Sequence, residues 1–234
     1  MRKAAFFDVD GTLTTGQVWR AIMDYFQERR ERPLENLAYW AYHTPLYFLF
    51  KLGVISQTRF RRPWASHLAW YFRGLSVEEC VHIWDRIVSD HMAALWREDS
   101  LNILNQHKAA GDLVVLVSAG PAPLEESIAR LLGADIAVGT QFEERDGRYT
   151  GKIKGKVCLA ENKALLSKER LLAEGIDVDF AASSAYADSS GDVALLEMVG
   201  NPVAMHPDEH LLPIAQERGW KILPEFETKK EAGH

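Results

Sequence analysis

The spacing of hydrophobic and polar positions divides this chain into two parts. Residues from about 18 to 96 place apolar side chains at helical intervals, as at Ile22, Met23 and Phe26, and show no strand pattern. Before and after this block, apolar runs of strand length occur, and in the second part they alternate with amphipathic segments of helix length. The pattern therefore predicts a helical insert between the first strand and a series of strand–helix units.

The second part of the chain predicts most of the regular elements. Strands are predicted at residues 3–7, 112–118, 134–138, 180–187, 201–205 and 221–223, with a hairpin at 141–154 that turns at Asp146-Gly147. Helices are predicted at about 99–111, 121–133, 159–174, 191–198 and 207–218. Because repeated strand–helix units form parallel sheets, we expect an α/β fold with a doubly wound, mainly parallel, Rossmann-like sheet. The expected core comprises residues 1–16 and 97–234, including a loose charged tail at 225–234, and the expected helical cap comprises residues 17–96.

Local signals predict where two helices begin. Ser76 followed by Glu79 forms a capping box, which predicts a helix start at that point. Asp99 or Ser100 is expected to cap the next helix, which Gly111 ends.

The predicted cap contains an apolar and aromatic segment at residues 37–55. His43, Pro45 and Lys51 interrupt this segment, which makes it a poor membrane-spanning helix. We expect a helical hairpin that is broken at Thr44-Pro45 and buried in the cap or in a dimer contact. The alternative is an apolar surface for a lipid-like substrate or a membrane interface.

Composition and charge limit the functional classes. The 234 residues are 47% hydrophobic and 26% charged, which is typical of a globular protein. A net charge of −6 indicates no basic face, so no nucleic-acid partner is expected. Cys80 and Cys158 support neither a disulfide framework nor a zinc site. The apolar run at the start is too short for a signal peptide, and we therefore expect a cytoplasmic enzyme.

Two carboxylates follow the first predicted strand. Asp8 and Asp10 are two residues apart, so their side chains point the same way, and Gly11 permits a sharp turn after them. In open α/β sheets, ligands bind at this carboxyl edge. Asp-Gly also occurs in ordinary turns, but this pair beside Gly11-Thr12 suits a metal ion and a phosphoryl group.

Two further positions could bind an anion. Ser118 ends a predicted strand, where its hydroxyl and the free amides of the next turn could bind a phosphate or simply cap a helix. Lys163 lies near a predicted helix start, where it opposes the helix dipole and could neutralise a phosphoryl oxygen. Lys156 and Lys168 are competing candidates for that role.

Asp188 and Asp192 follow a later apolar strand and could hold a hard cation together with Asp8. With these residues in place, the chain resembles the haloacid dehalogenase superfamily, specifically its phosphoserine-phosphatase-like branch. The resemblance covers nearly the whole chain, and the helical insert is similar to the first type of cap in this family. Four motifs match in order: Asp8-Val9-Asp10-Gly11-Thr12, Ser118, Lys163 and Asp188-x-x-x-Asp192.

The resemblance implies a Mg²⁺-dependent phosphatase that works through an aspartyl-phosphate. Asp8 would be the nucleophile, Asp10 the general acid and base, and Lys163 a third catalytic residue. An acid at position 10 is typical of phosphatases, since the ion pumps and dehalogenases of the family lack it. The implied metal-binding set is Asp8, Asp10 through its backbone carbonyl, Asp188 and Asp192. The implied phosphate-binding set is Thr12, Ser118, Ala119, Gly120 and Lys163, with Arg61 contributed by the cap.

The residue at position 17 affects the substrate that the resemblance implies. Phosphoserine phosphatases commonly have a glutamate there that binds the substrate ammonium, whereas this chain has the neutral Gln17. Arg59, Arg61 or Arg62 could meet a substrate carboxylate or phosphate. The cap aromatics could form a core, stack on a ring or amine, or hold a lipid tail. We expect a small phosphomonoester of the phosphoserine, histidinol-phosphate or phosphoethanolamine type, with a lipid phosphate as the alternative.

Other readings of the same motifs stay open at this point. A phosphomutase or a non-catalytic binding protein could use the same fold. Both a monomer and a homodimer are compatible with the sequence. Because two linkers join the insert to the core, we expect the cap to move as a lid.

Overall fold

A six-stranded parallel sheet forms the centre of the computed structural model, which describes residues 1–224. The strands are β1 (Ala4–Asp8), β2 (Leu113–Pro121), β3 (Ile136–Thr140), β4 (Phe142–Arg145), β5 (Arg148–Ile153), β6 (Ser184–Ala187), β7 (Asn201–Met205) and β8 (Lys221–Leu223). The strand order is β3-β2-β1-β6-β7-β8, and β4 and β5 form a separate antiparallel hairpin. The predicted doubly wound fold is therefore confirmed. The predicted tail at 225–234 lies outside the described residues.

Helices cover both faces of the sheet. They are α1 (Val18–Glu28), α2 (Pro33–Lys51), α3 (Gln57–Ser66), α4 (Val77–His91), α5 (Glu98–Ala110), α6 (Ala122–Leu132), α7 (Glu161–Ala173), α8 (Val193–Leu196) and α9 (Leu211–Glu217). Successive strand residues face opposite sides, so Phe7 packs in one hydrophobic cluster with Leu116. Phe6 packs with Val115 in a second cluster on the opposite face. β1 is buried on both faces, as is usual for a central parallel strand.

Between β1 and α5 the chain forms α1 to α4 and two 3₁₀ turns, at His67–Phe72 and Ala93–Leu95. The Ser76 hydroxyl accepts a hydrogen bond from the Glu79 amide at 3.4 Å, which confirms Ser76 as the cap and the predicted helix start. The predicted cap of α5 is wrong, because Arg97 occupies that position and α5 begins before Asp99. Arg97 is held there by its amide, which donates to the Leu13 carbonyl at 2.8 Å.

The predicted break at Thr44-Pro45 is also wrong, since α2 continues through Pro45. Proline provides no amide hydrogen for the carbonyl four residues earlier, but contacts on the preceding turn keep the helix in place. The Tyr39 hydroxyl donates to the Trp64 carbonyl at 2.8 Å, and His43 Nε2 lies 3.2 Å from His67 Nδ1. The chain reverses later, near Gly53, whose φ is +72°. A helical hairpin therefore forms, with its turn after α2.

Among the helices in residues 1–224, none has the length and apolar character needed to cross a membrane.

Candidate active site

Side chains from three neighbouring strands meet at one edge of the sheet. Asp8 is the last residue of β1 and pairs with Val117, so Ser118 follows directly on the neighbouring strand. On the other side, β6 ends at Ala187, immediately before Asp188. Because parallel strands all end at the same edge, these three side chains come together although they are far apart in sequence.

The turn after Asp10 passes very close to Asp188. Gly11 has a φ of +87°, and a Cβ at this position would lie 2.0 Å from Asp188 Oδ2. The Gly11 amide donates to the Thr14 carbonyl at 2.9 Å, which closes the turn. Any side chain at position 11 would displace the Asp188 carboxylate, so the motif requires glycine for both space and backbone conformation.

Lys163 bridges two of the predicted carboxylates from the first turn of α7. Its Nζ donates to Asp8 Oδ1 at 2.5 Å and also to Asp192 Oδ1. Burial alone would lower the pKa of Lys163, but the Asp192 and Asp8 carboxylates outweigh this effect and raise it, so the ammonium stays charged. Lys156 and Lys168, the competing candidates, are both exposed.

Asp8, Asp188 and Asp192 form a cluster of carboxylates. Each offers one oxygen, and these oxygens lie within 4.8 Å of one another. Burial, with repulsion from Asp8 and Asp192, raises the pKa of Asp188 to about 9. When all three carboxylates are ionised, their charge exceeds that of the one lysine ammonium, and oxygen ligands of this kind bind hard divalent cations. The donor set therefore fits an ion such as Mg²⁺.

The Asp10 side chain is held apart from this cluster. Its Oδ1 accepts a hydrogen bond from the backbone amide of Val18, the first residue of α1, at 2.9 Å. Burial and the neighbouring Asp8 charge raise the pKa of Asp10 to about 7. A carboxyl group with a pKa near neutrality can both donate and accept a proton, so Asp10 has the properties of a general acid and base.

Ser118, Ala119 and Gly120 line the same cavity as Asp8. The Gly120 amide donates to Ser118 Oγ at 3.0 Å, which holds the hydroxyl at the cavity wall. The pairing of β2 with β3 shifts register between Val117 and Pro121, so the backbone leaves the regular ladder at these three residues. This segment can therefore direct polar groups at an anion.

The Thr12 hydroxyl lies beneath the cluster. Thr12 is fully buried, and its Oγ1 donates to Asp8 Oδ2 at 3.2 Å. In this position the hydroxyl orients the Asp8 carboxylate, and the predicted contact of Thr12 with a phosphoryl oxygen stays a prediction.

A cavity of about 590 Å³ separates the carboxylate cluster from the inserted helices. Its walls on the insert side are mainly aromatic, and these residues are Trp19, Trp40, Tyr47, Phe48, Phe60 and Trp64. Among the described lining residues, Arg61 is the one charged side chain that the insert contributes. Its Nη1 lies 3.9 Å from the position that a Cβ on Gly191 would take, so Arg61 reaches the loop between Asp188 and Asp192.

Gln17 also lines the cavity, where its side-chain oxygen accepts a hydrogen bond from the Trp19 indole. An amide carries no charge to pair with a substrate ammonium. The geometry at this position therefore provides no carboxylate of the kind expected for a phosphoserine site.

Two buried polar residues near the site were missed by the sequence analysis. Glu125 in α6 is fully buried, and within residues 1–224 no hydrogen bond of ordinary geometry reaches its carboxyl oxygens, although the Ser118 side chain lies beside them. Burial, with the charges of Asp10 and Asp8 adding to it, raises the pKa of Glu125 well above its ordinary value. His43 lines the cavity, and burial together with His67 lowers its pKa to about 4. In the sequence, Glu125 looks like a surface acid in a first helical turn.

Comparison with known proteins gives consistent similarities. The model of the family described as haloacid dehalogenase-like hydrolase matches residues 5–197. A phosphoserine phosphatase of Mycobacterium tuberculosis is 34% identical, over 94% of this chain and 70% of the relative. A histidinol-phosphatase of Neisseria meningitidis is 27% identical, over 95% of this chain and 99% of the relative.

Solved structures show the same arrangement of elements. The crystal structure of a protein of unknown function from Bordetella pertussis has a TM-score of 0.78 and 29% identity, and the match covers 95% of this chain and 98% of that chain. A phospho-aspartyl intermediate analogue of phosphoserine phosphatase has a TM-score of 0.59 at 19% identity, with 94% and 92% covered. The latter similarity shows a shared fold.

Proposed function

Because the chain belongs to the haloacid dehalogenase-like hydrolases, we propose that it is a Mg²⁺-dependent phosphomonoester hydrolase that works through an aspartyl-phosphate. The observation that carries this proposal is the contact of Lys163 with Asp8 and Asp192 beside Asp188, because it places a charged donor and three carboxylates around one reacting position. In this proposal, residues 1–16 and 97–234 form the catalytic core and residues 17–96 the cap. A cytoplasmic location is part of the same proposal.

In the first step, an Asp8 carboxylate oxygen attacks phosphorus, and the bond from phosphorus to the ester oxygen breaks. Asp10 gives its proton to the departing alkoxide, which its pKa of about 7 permits near neutral pH. Lys163, the Ser118 hydroxyl and the Ala119 amide stabilise the charge on the phosphoryl oxygens, and the Gly120 amide orients Ser118. The products are the alcohol and a phosphorylated Asp8.

In the second step, water attacks the same phosphorus and the bond to the Asp8 oxygen breaks. Asp10, now ionised, accepts the proton of this water, so that inorganic phosphate leaves and both carboxyl groups return to their starting states. The Thr12 hydroxyl keeps the Asp8 carboxylate in one orientation through both steps. An acid at position 10 thus supports hydrolysis of the intermediate.

A magnesium ion would be held by Asp8, Asp188 and Asp192 and by the Asp10 backbone carbonyl. When bound, it would neutralise the carboxylate cluster and the phosphoryl oxygens, which otherwise repel each other.

The first candidate substrates are small phosphorylated metabolites. The names of two relatives, a phosphoserine phosphatase and a histidinol-phosphatase, support this class. The neutral Gln17 argues against phosphoserine, whereas the aromatic walls would stack on a ring such as the imidazole of histidinol phosphate. A lipid phosphate is the second candidate, because Tyr47 and Phe48 line the cavity and are also exposed.

Phosphate release from a panel of esters, with and without Mg²⁺, tests the proposal. The panel comprises phosphoserine, histidinol phosphate, phosphoethanolamine, p-nitrophenyl phosphate and a lysophosphatidate. Asp8→Asn should abolish release from every ester, while the exposed matched variant Asp177→Asn should leave it unchanged. In the wild type, hydroxylamine trapping followed by mass spectrometry should mark Asp8.

The proposed hydrolase activity would be refuted if folded, Mg²⁺-bound protein released no phosphate from any ester. Activity that requires a bisphosphate activator would instead indicate a phosphomutase, and ligand binding without turnover a binding protein.

A further inference from the structure

Helix α2 is apolar around its circumference, yet most of it is exposed. Of the described residues in α2, Tyr39 and His43 are the buried ones. Helices that are apolar on all sides are ordinarily buried in a protein core or in lipid. The exposed large apolar residues of α2 are Leu34, Leu37, Trp40, Tyr42, Tyr47, Phe48 and Leu49. This surface extends into the turn before α3, and we call residues 33–66 the α2–α3 hairpin.

The charge of this region is opposite to that of the whole chain. Residues 36–77 contain five basic residues and no aspartate or glutamate, although the chain carries a net charge of −6. Three of the basic residues, Lys51, Arg59 and Arg62, are exposed on the hairpin. Apolar side chains surrounded by basic ones are typical of surfaces that bind anionic lipid.

The cavity opens at the same surface. Trp40, Tyr47 and Phe48 line the cavity, and each is also exposed to solvent. An apolar chain could therefore pass from the hairpin surface to the phosphoryl site without crossing polar protein. Such an entrance suits a phosphomonoester with an apolar tail.

A second copy of this chain fits the surface less well than lipid does. In a twofold dimer the same patch faces itself, so the exposed basic residues of the two copies would come together without acidic partners. An anionic lipid surface supplies both the negative charge and the apolar phase that the hairpin lacks.

We propose that the α2–α3 hairpin docks on an anionic lipid surface, and that a phosphomonoester with an apolar tail enters the cavity from there. The docking does not depend on the proposed function, whereas the identity of the substrate rests on it. Among the candidate substrates, this inference selects the lipid phosphate.

Sedimentation of the full chain with vesicles tests the docking. Binding is expected to vesicles of phosphatidylcholine with phosphatidylglycerol, to be weaker for phosphatidylcholine alone, and to fall as salt rises. Lys51→Glu and Arg59→Glu should each reduce the partition by at least about fivefold, and Leu52→Ser by about tenfold. The controls are Lys221→Glu and Leu172→Ser, which lie outside the hairpin. Leu172 is a close match, since it is 81% exposed and Leu52 is 76% exposed.

The absence of binding to anionic vesicles, or equal losses in the controls, would overturn the docking. The docking would also be overturned if the wild-type protein had the mass of a dimer in solution and Leu52→Ser had the mass of a monomer. The surface would then be a dimer contact. Binding without hydrolysis of any ester would leave the docking intact and refute the proposed function instead.

Turnover tests the substrate. Leu52 lies outside the cavity lining, so Leu52→Ser should lower hydrolysis of a long-chain lysophosphatidate in anionic vesicles by about tenfold and leave p-nitrophenyl phosphate unaffected. Hydrolysis of glycerol 3-phosphate as fast as that of the vesicle-borne lipid would overturn the apolar-tailed substrate.

Discussion

At the scale of single residues, Lys163 is the side chain on which the candidate site most depends. It is buried between Asp8 and Asp192, so its removal would leave carboxylates facing each other without a cation. Lys163→Met should lower the free energy of unfolding by about 3–5 kcal/mol in metal-free protein. It should also reduce kcat by at least about 10²-fold, because a donor to the phosphoryl group is lost.

Urea unfolding and steady-state kinetics measure these two effects. The matched control is Lys156→Met on the exposed segment before the same helix, which should change stability by at most about 0.5 kcal/mol. An unfolding free energy for Lys163→Met equal to that of the control would show that the two carboxylates do not depend on this ammonium.

Asp188 leads to a prediction about pH. Its pKa is raised from 3.8 to about 9, so the folded metal-free chain holds a proton that the unfolded chain has already lost above pH 3.8. The protonated Asp188 therefore contributes its full share to the free energy of unfolding below pH 3.8. This contribution is lost as the pH rises towards 9. Mg²⁺ replaces the proton, so it should raise the melting temperature more at pH 9 than at pH 5.

Thermal melts in EDTA and in Mg²⁺ across this range would show the effect. Asp188→Asn should flatten the profile in EDTA and remove most of the response to Mg²⁺. A response to Mg²⁺ that is the same at both pH values would contradict the linkage.

Glu125 predicts a gain in stability when it is replaced. A buried carboxyl group without a hydrogen-bond partner costs free energy, so Glu125→Leu should raise the free energy of unfolding by about 1–3 kcal/mol. Glu125→Gln, which keeps a polar group in the same place, should gain much less. Urea unfolding compares the three proteins, and a loss of stability in Glu125→Leu would mean that the carboxyl group has a partner in solution.

At the scale of elements, short-range patterns predicted the strands but only some of their ends. β7 and β8 match their predicted ranges, and the Asp146-Gly147 turn is confirmed by positive φ angles of 51° and 70°. β6 is shorter than predicted because the chain turns at Phe180–Ser183, where the Ser183 hydroxyl donates to the Asp179 carbonyl at 2.6 Å. Such side chain–backbone contacts compete with a strand and leave little trace in hydrophobic periodicity.

For the candidate site as well, the sequence predicted some residues and missed others. Asp8, Ser118 and Asp188 were predictable as a group because each follows an apolar strand, and parallel strand ends share one edge. Glu125 could not be found from local pattern, because its surroundings come from other parts of the chain: Glu125 Oε1, Val18 and Ser118 Oγ all lie within 3.2 Å of the Cβ position at Gly120. Likewise, nothing near Pro45 in sequence indicated that contacts from Trp64 and His67 would keep α2 continuous.

Pro45 provides a prediction at this scale. Pro45→Ala restores an amide that can donate to the Ala41 carbonyl and removes the ring from the helix interior. Part of the gain is offset because alanine leaves the unfolded chain more flexible. We expect an increase of about 1–2 kcal/mol in unfolding free energy, measured by urea denaturation. An unchanged or lower value would indicate that the proline ring improves packing in the folded state.

At the scale of the whole molecule, the inserted helices are fastened to the core unevenly. The β4–β5 hairpin holds one end, since the Gly74 amide donates to the Tyr149 carbonyl at 2.7 Å and the Tyr149 amide donates to the Leu75 carbonyl at 3.0 Å. Phe72 and Trp84 of the insert stack on each other and pack beside Phe142 of the hairpin. The α2–α3 hairpin carries the exposed apolar surface and makes no such strand contact among the hydrogen bonds of the described residues.

This uneven attachment changes the expected lid motion from movement of the whole cap to movement of α2 and α3. Few buried contacts and exposed backbone hydrogen bonds favour local opening, whereas α4 is anchored by Trp84 and by the Asp85–Arg130 ion pair at 2.7 Å. In the free protein, amide hydrogen exchange should therefore be fast in residues 33–66 and slow in Val77–His91. When a phosphoryl analogue and Mg²⁺ fill the cavity, exchange should slow in residues 33–66 alone. If both segments slowed together, the cap would move as one body, and the connection through the β4–β5 hairpin would have to open with it.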